Sequence, residues 1–461
     1  MAINSSHGSD GFAQSGDSGR KDSVLTPGMG NLWPRRSRSL PTTAGNVLLM
    51  LFVVALSGNP VLSTPGVSRI ITPVAATLIG LAVLDKEKIS GLNRAILVTV
   101  LFGTIFAVQT VDFKLFPAVT ILGLVCRFVI AFSIAVLIAD FAGTYVRVML
   151  GLATLGLFFY SFYHLGGLLG INVESLTKHF EIPAFMNEGA WSIGLHTYST
   201  NPNDVNRNAG MFWEPGAFAG YLNLALVLLC LIRARYTAQG FFIRFLVLSL
   251  CLLTTQSTIG YIAYALVLSL EAITGARRMT RARVIRYFCT FAALAIGGAF
   301  VANQEFMAPK IMQSVFASTT RTGTWQADRL GTLIFDLDYI TQRPLTGWGM
   351  VDETRMALHP ELIGDAVTGR GNGMSDYAAR FGVIALGAWL VTTYQTLLIL
   401  SSKQKMAAIL GVFVIVLSLN DECFLNFPLF LIFFFSLNPG APLTQRQTTV
   451  APTRNRAPVT P

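Results

Sequence analysis

Charged residues are scarce in this chain, and their scarcity excludes an ordinary soluble domain. Of its 461 residues only 13% are Asp, Glu, Lys or Arg, whereas 52% are hydrophobic and the mean hydropathy is +0.56. Soluble globular domains carry about 25% charged residues. The composition therefore indicates an integral membrane protein.

The motifs of nucleotide-dependent and metal-dependent enzymes are also lacking. The sequence contains no P-loop, no GxGxxG or HExxH motif, and no DxD on the side that we predict to be cytoplasmic. Its five cysteines lie in apolar segments without CxxC spacing, and His164, His196 and His359 have no partner at metal-ligand spacing. We therefore expect no cofactor and no metal, and we do not expect a soluble nucleotide as substrate.

Long apolar runs dominate the rest of the sequence. A helix needs about 20 apolar residues to cross a bilayer, and this rule predicts an all-α polytopic membrane protein with about twelve spans. The predicted cores are residues 45–62, 69–85, 95–111, 117–139, 145–167, 216–233, 241–256, 258–274, 286–303, 381–401, 406–420 and 423–438.

Both ends of the chain are polar. Residues 1–44 are rich in Ser, Gly and Asp, and residues 439–461 are Pro-rich and basic, so neither can bury enough apolar surface to fold alone. We predict two disordered cytoplasmic tails that flank a membrane domain at residues 45–438. Basic clusters alternate with nearly uncharged turns along that domain, and the positive-inside rule places these clusters in the cytoplasm. The net charge of +10 thus reflects topology rather than nucleic-acid binding.

The same alternation places two long segments outside, at residues 168–215 and 304–380, with no comparably long loop inside. We therefore expect the function to face outward. In the second segment, four apolar residues recur at helical spacing: Leu330, Leu333, Ile334 and Leu337. This spacing predicts a short helix that either lies on the outer leaflet or packs over the helix bundle.

An arginine and a glutamate stand at the end of the first outer segment, in the sequence RNAGMFWEPG at residues 207–216. Pro215 suits the first turn of a helix, and Glu214 stands where the positive end of the helix dipole favours an anion. Glu214 either caps the sixth span or belongs, with Arg207, to an ion pair or a site. We favour the second interpretation, because Ser or Asp would serve a capping role as well.

The second outer segment is rich in arginine and nearly lacks lysine. Beside the single Lys310, its arginines are Arg321, Arg329, Arg343, Arg355, Arg370 and Arg380. Guanidinium groups make paired, charge-assisted hydrogen bonds to phosphate oxygens, so some of these arginines indicate a phosphate ligand. The others would pair with neighbouring acidic side chains. Asp376 and Arg380 form an i,i+4 pair at the mouth of the tenth span.

Several of these pieces, taken in order, resemble a known family. The pieces are the Arg207 to Gly216 segment, TTQSTIGYIAY at 254–264, RTGTWQADRL at 321–330, PLTGWGM at 344–350 and GNGMSDYAARFGVIAL at 371–386. Together with about twelve spans, they resemble the O-antigen ligase and O-antigen polymerase superfamily of bacterial polysaccharide assembly. The resemblance covers residues 45–438.

The resemblance implies a glycosyltransferase at the outer face of the bacterial inner membrane. Its substrates would be oligosaccharides carried on undecaprenyl pyrophosphate, and a chain-length regulator and a flippase of the same pathway would be its partners. Arg207 would hold and neutralise the pyrophosphates together with Arg321 and Arg370, and either of the latter two could be the counterpart of Arg207. Glu214 would orient or deprotonate the acceptor hydroxyl.

The resemblance also implies a set of substrate-binding residues: Asn372, Asp376, Arg380 and Trp213. Ligase-type members of the superfamily carry a histidine before the asparagine of this motif, whereas this chain has Gly371. The departure favours a polysaccharide polymerase or a member of the superfamily with altered chemistry. The alternatives are a ligase that transfers a finished glycan to an acceptor and a transporter or flippase for the same lipid-linked sugars.

Overall fold

The computed structural model describes nine stretches of the chain. They are residues 43–84, 91–171, 173–177, 182–183, 190–199, 206–275, 329–358, 373–419 and 424–435. The ninth predicted span, at 286–303, and nearly all of the two predicted tails lie outside these residues.

Most of the described residues are helical. In chain order the helices are α1 (Thr43–Gly58), α2 (Pro60–Ser63), α3 (Pro65–Leu84), α4 (Leu92–Phe113), α5 (Ala118–Leu137), α6 (Phe141–Leu168), α7 (Val173–Thr177), α8 (Pro215–Leu231), α9 (Ala238–Thr254), α10 (Thr258–Gly275), α11 (Arg329–Gln342), α12 (Asp352–Arg355), α13 (Gly373–Leu400), α14 (Lys405–Ser418) and α15 (Pro428–Leu431). Short 3-10 turns occupy Arg233–Arg235, Phe424–Asn426 and Ile432–Phe434.

The segment at residues 168–215, which we predict to lie outside, contains a small antiparallel sheet as well as helix α7. Its strands are β1 (Ile182–Pro183), β2 (Ala190–Ser192) and β3 (Thr197–Ser199), in the order β1-β2-β3. Trp191 pairs with Tyr198 on one side and Pro183 on the other. Helical periodicity could not indicate strands of two or three residues, so this sheet was not predicted.

Six of the helices are long and apolar enough to cross a membrane. They are Gly66–Leu84, Leu92–Phe113, Ala118–Leu137, Phe141–Gly166, Thr258–Gly275 and Gly373–Leu400. Four further apolar helices are shorter: Ala44–Gly58, Pro215–Leu231, Ala238–Thr254 and Lys405–Ser418. Each of these ten helices overlaps a predicted core, and together they support a helical membrane protein.

The twelfth predicted span is wrong where the structure describes it. Residues 424–435 do not form one helix but three short helical turns, and Pro428 begins the middle one. All of these residues are buried. Non-helical backbone is tolerated at membrane depth when protein surrounds it. Arg127 of α5 donates a hydrogen bond of 3.4 Å to the carbonyl oxygen of Asn426, as expected for a membrane arginine that faces the bundle interior.

Helix α8 lies at the centre of the bundle and is buried on every side. It packs against α6, α9, α10 and α14, and its residues from Ala217 to Leu231 are all buried. A helix that is apolar all round needs such a central position. Its polar Asn223 donates to the carbonyl oxygen of Gly260 at 3.1 Å, which ties it to α10. The N-terminus of this helix carries Glu214.

Helix α11 confirms the predicted helical spacing of the second outer segment and shows two different faces. Phe335, Asp336 and Tyr339 are buried toward α13, whereas Ile334 and Leu337 are 51% and 47% exposed. The helix therefore packs over the bundle and also keeps apolar side chains at its outer surface. The packing agrees with the second of the two alternatives, and a position on the outer leaflet stays a prediction.

Candidate functional site

The segment that carries Arg207 and Glu214 is fastened to the turn between α9 and α10. The backbone amide of Asn208 donates to the carbonyl oxygen of Thr254 at 3.0 Å, and its side-chain amide donates to the Thr254 hydroxyl at 2.9 Å. Arg207 Nε donates to the carbonyl oxygen of Thr255 at 3.1 Å. Two of the sequence motifs, RNAGMFWEPG and TTQSTIGYIAY, thus lie against one another. Arg207 keeps part of its side chain exposed.

Glu214 occupies the N-cap position of α8 without using its side chain as a cap. Its backbone is extended, with φ −151° and ψ 161°, and its carboxylate makes no capping hydrogen bond. A β-carbon on Gly216 would lie 2.8 Å from Glu214 Oε1, so the carboxylate lies over the first turn of the helix. The structure therefore disfavours the simple capping role. The partly exposed carboxylate stands near the positive end of the helix dipole.

Trp213, which we predicted to contact substrate, lies in the hydrophobic core. Only 3% of its surface is exposed. Its ring centroid is 5.7 Å from that of Phe424 and 5.6 Å from that of Phe427. This placement favours a packing role, in which Trp213 joins the start of α8 to the broken segment at 424–435.

A buried network of charges joins α11, α12 and α13. Arg355 pairs with Asp336 of α11 and lies 3.2 Å from Asp376 of α13. Arg380 Nε lies 2.7 Å from the other oxygen of Asp376, which confirms the predicted i,i+4 pair. Ser375 donates a hydrogen bond of 2.6 Å to Asp336. Arg355, Asp336 and Asp376 are at most 2% exposed, so this network fixes the second outer segment to the bundle.

Burial changes the ionisation of an acidic group in this network. Burial raises the pKa of Asp336 from 3.8 to about 6, even though Arg355 opposes the shift. The guanidinium carbon of Arg355 lies 4.7 Å above the ring of Tyr339. Among the described residues, Arg355 Nε and Nη1 have no hydrogen-bond partner. A buried guanidinium with unused N–H groups can donate hydrogen bonds to an additional anionic or carbonyl oxygen.

Asp336 and Arg355 are the residues that sequence reasoning missed. Arg355 was one of six arginines with no signal to separate it from the others. Asp336 gave no signal either, because the predicted apolar stripe includes Ile334 and Leu337, whereas the structure buries Phe335 and Tyr339 on another face. A carboxylate on that buried face must be paired. The partner could not be named, because pairing across 19 positions depends on the tertiary fold.

The PLTGWGM segment lies along a break in α13. At Gly382 the helix takes a non-helical conformation, with φ 84° and ψ 165°. The amide of Trp348 donates to the carbonyl oxygen of Ala379 at 2.9 Å, and that of Gly349 donates to Arg380 at 3.0 Å. Gln109 of α4 donates to the same Arg380 carbonyl at 2.9 Å. Two further motifs of the sequence, PLTGWGM and GNGMSDYAARFG, are thus brought together.

The RNAGMFWEPG segment at the start of α8 and the PLTGWGM segment beside α13 lie at the same end of the bundle. A β-carbon on Gly220, near the start of α8, would lie 2.9 Å from the carbonyl oxygen of Ser418 at the end of α14. Helices α13 and α14 are joined by a short turn, and Leu397 meets Gly411 in an antiparallel arrangement. The part of α13 before its break is placed by other contacts. Asp140, just after α5, pairs with Arg235, just after α8, so α5 begins at the end of the bundle where α8 begins. Gln109, near the end of α4 that leads into α5, donates to the carbonyl oxygen of Arg380, so the start of α13 lies at that same end.

Three of the predicted site residues, Arg321, Arg370 and Asn372, lie outside the described residues and stay predictions. Comparison of the sequence with protein-family models and with curated proteins gave no match. The assignment of function therefore depends on the motifs and on the geometry that joins them.

Proposed function

We propose that this protein is a polysaccharide polymerase, an integral membrane glycosyltransferase that joins undecaprenyl-pyrophosphate-linked oligosaccharide repeat units. It would work at the outer face of the bacterial inner membrane, with about twelve spans and both termini in the cytoplasm. One observation carries the proposal. Four motifs that are far apart in the sequence meet in two pairs at one end of the bundle, and both pairs bring charged side chains there.

The carboxylate and the arginines have different roles in the reaction. The acceptor hydroxyl oxygen attacks the anomeric carbon of the donor sugar, and Glu214 accepts the proton of that hydroxyl. The anomeric carbon–oxygen bond breaks, and the lipid pyrophosphate leaves with the bonding electron pair. Arg207, Arg321 and Arg370 neutralise the charge that develops on the pyrophosphate.

Residues of the second outer segment would position the sugar. Asn372 keeps its proposed role as a hydrogen-bonding residue. Asp376 is buried and paired with both Arg355 and Arg380, so we assign it to shaping the sugar site through the network. Arg380 is partly exposed, and we assign it to direct contact with the sugar as well. A partly desolvated site at the membrane surface would strengthen each of these interactions.

The test is a reaction with purified components. The protein is incubated with a synthetic lipid-pyrophosphate repeat unit and no nucleotide sugar, and the products are separated on a gel. We expect a ladder that Arg207→Ala and Glu214→Gln abolish. The control is Arg94→Ala, because Arg94 bonds to Gln395 at the opposite end of the bundle and should not affect the reaction.

Other outcomes identify other functions. Transfer of a finished glycan to an acceptor, without extension of repeat units, would identify a ligase. Movement of the lipid-linked unit across a liposome membrane, with no new glycosidic bond, would identify a transporter. A ladder that survives both site substitutions would contradict the assignment of Arg207 and Glu214.

A further inference from the structure

An apolar cleft of about 660 Å³ lies between α4 and α5, both of which are candidate membrane spans. It extends along α4 from Ala95 to Val111, a distance of about 24 Å at 1.5 Å per residue. Its lining is aliphatic and aromatic, with two threonines and no charged side chain. Val111, Val125 and Val129 in its walls are 74%, 46% and 37% exposed, so the cleft is open along its side.

The cleft leads to the charged end of the bundle. Phe106, Thr110 and Ile121 line both the cleft and a smaller recess next to it. The other walls of that recess include Gly349 and Thr354. The recess is therefore bounded by the PLTGWGM segment and by the residue that precedes Arg355.

Two cations lie at the same end of the cleft, Arg343 and Lys114. The guanidinium carbon of Arg343 lies 4.4 Å from the ring centroid of Phe113, which lines the recess. Arg343 pairs with Asp112, and the exposed Lys114 follows two residues later. Two cations thus stand with the carboxylate of Asp112 on this side of the recess, and the exposed Asp352 and Glu353 lie between Val351 and Thr354 of its other wall. A long apolar cleft with a cationic rim is complementary to a lipid that carries an anionic head group.

We infer that this cleft holds the hydrocarbon chain of the lipid-linked substrate, with Arg343 and Lys114 at its rim contacting the phosphate-bearing head group in addition to the Arg207, Arg321 and Arg370 of the proposed function. The inference rests on the proposed function for the identity of the lipid. A polyprenyl chain entering from the membrane would lie between α4 and α5 and deliver its pyrophosphate to the PLTGWGM segment. The same cleft would thereby orient the anomeric carbon.

Gly103 offers a way to fill the cleft without disturbing the fold. It lines the cleft, and a β-carbon there would meet no atom within 4 Å. We expect Gly103→Leu to raise the KM for a polyprenyl-linked repeat unit at least tenfold. The KM for the same sugar on a short isoprenoid of two units should change less than twofold. Gly151→Leu on α6 is the matched control, since Gly151 also faces open space but lies away from the cleft.

A binding measurement separates this inference from the proposed function. A photoreactive polyprenyl phosphate is cross-linked to the wild-type protein, and the labelled peptides are sequenced. We expect label within residues 95–132, reduced at least fivefold by Gly103→Leu and unchanged by Gly151→Leu.

Each other result has a defined meaning. Label in residues 286–303, or label that excess phosphatidylglycerol removes as readily as unlabelled polyprenyl phosphate does, would overturn the inference. An active polymerase in which Gly103→Leu affects neither KM would also overturn it, while leaving the proposed function standing. Specific label in the cleft without polymerase activity would leave the lipid site standing and remove the proposed function.

Discussion

A β-carbon on Gly382 would lie 2.0 Å from the carbonyl oxygen of Leu345. Gly382 also has a φ of 84° and a ψ of 165°, a region that only glycine occupies without strain. Both constraints act at the point where α13 breaks. The close approach lets the amide of Val383 donate to the carbonyl oxygen of Pro344 at 2.7 Å, so the absence of a side chain here permits the PLTGWGM segment to dock.

We therefore expect Gly382→Ala to destabilise the protein by about 3 kcal/mol or more, from backbone strain and overlap combined. The measurement is thermal unfolding in detergent. Gly387→Ala is the matched control on the same helix, since a β-carbon there meets no atom within 4 Å. Its stability should remain the same or rise by about 1 kcal/mol. Equal melting temperatures for the two variants would contradict the docking role of Gly382.

The sequence predicted the helices and one local contact, but not the contacts that depend on how the helices pack. Apolar runs set the positions of ten helices, and the local i,i+4 rule predicted the contact of Asp376 with Arg380. Residues 424–435 are equally apolar, so composition alone could not separate their short turns from a span. Arg355 and Asp336 meet only because α12 and α11 pack on α13. A pairing of that kind depends on the tertiary fold.

Arg355 should be essential to the fold of the second outer segment. Removing it leaves Asp336 and Asp376 buried without their shared cation, and breaking a buried pair costs about 3 to 5 kcal/mol. We expect this loss for Arg355→Met in an unfolding experiment. Arg343→Met, which removes a partly exposed pair, should cost about 1 kcal/mol or less. Equal losses would show that burial of the network does not matter to stability.

The raised pKa of Asp336 predicts a pH dependence of stability. Burial moves this pKa from 3.8 to about 6, so the folded protein holds a proton that the unfolded chain releases as the pH passes 3.8. The contribution of Asp336 to stability is therefore greatest below pH 3.8. It falls as the pH rises to about 6, by about 3 kcal/mol in total.

The measurement compares wild type with Asp336→Asn, which cannot ionise at this position. The unfolding free energy of the wild type should decrease relative to that of the variant as the pH rises from 4 toward about 6. Above that pH the difference between the two should stay constant. Titration of the carboxylates that do not interact with Asp336 cancels in this difference. A difference that stays constant between pH 4 and about 7 would contradict the shift.

The position of the Glu214 carboxylate over the first turn of α8 can be tested through its neighbour. In Gly216→Ala the new β-carbon would lie 2.8 Å from Glu214 Oε1, and the flexible end of the glutamate can move aside. The melting temperature should therefore stay near that of the wild type. Under the proposed function, the displaced carboxylate should lower the polymerisation rate about 10- to 100-fold, because small misplacements of a base are costly.

The matched control for this variant is Gly151→Ala, where the added β-carbon meets open space. It should retain both the rate and the melting temperature of the wild type. If Gly216→Ala also retains the full rate while Glu214→Gln is inactive, the carboxylate acts without being held over α8. The base would then have to be positioned by the substrate rather than by the helix N-terminus, since Gly216 provides the space that the carboxylate now occupies.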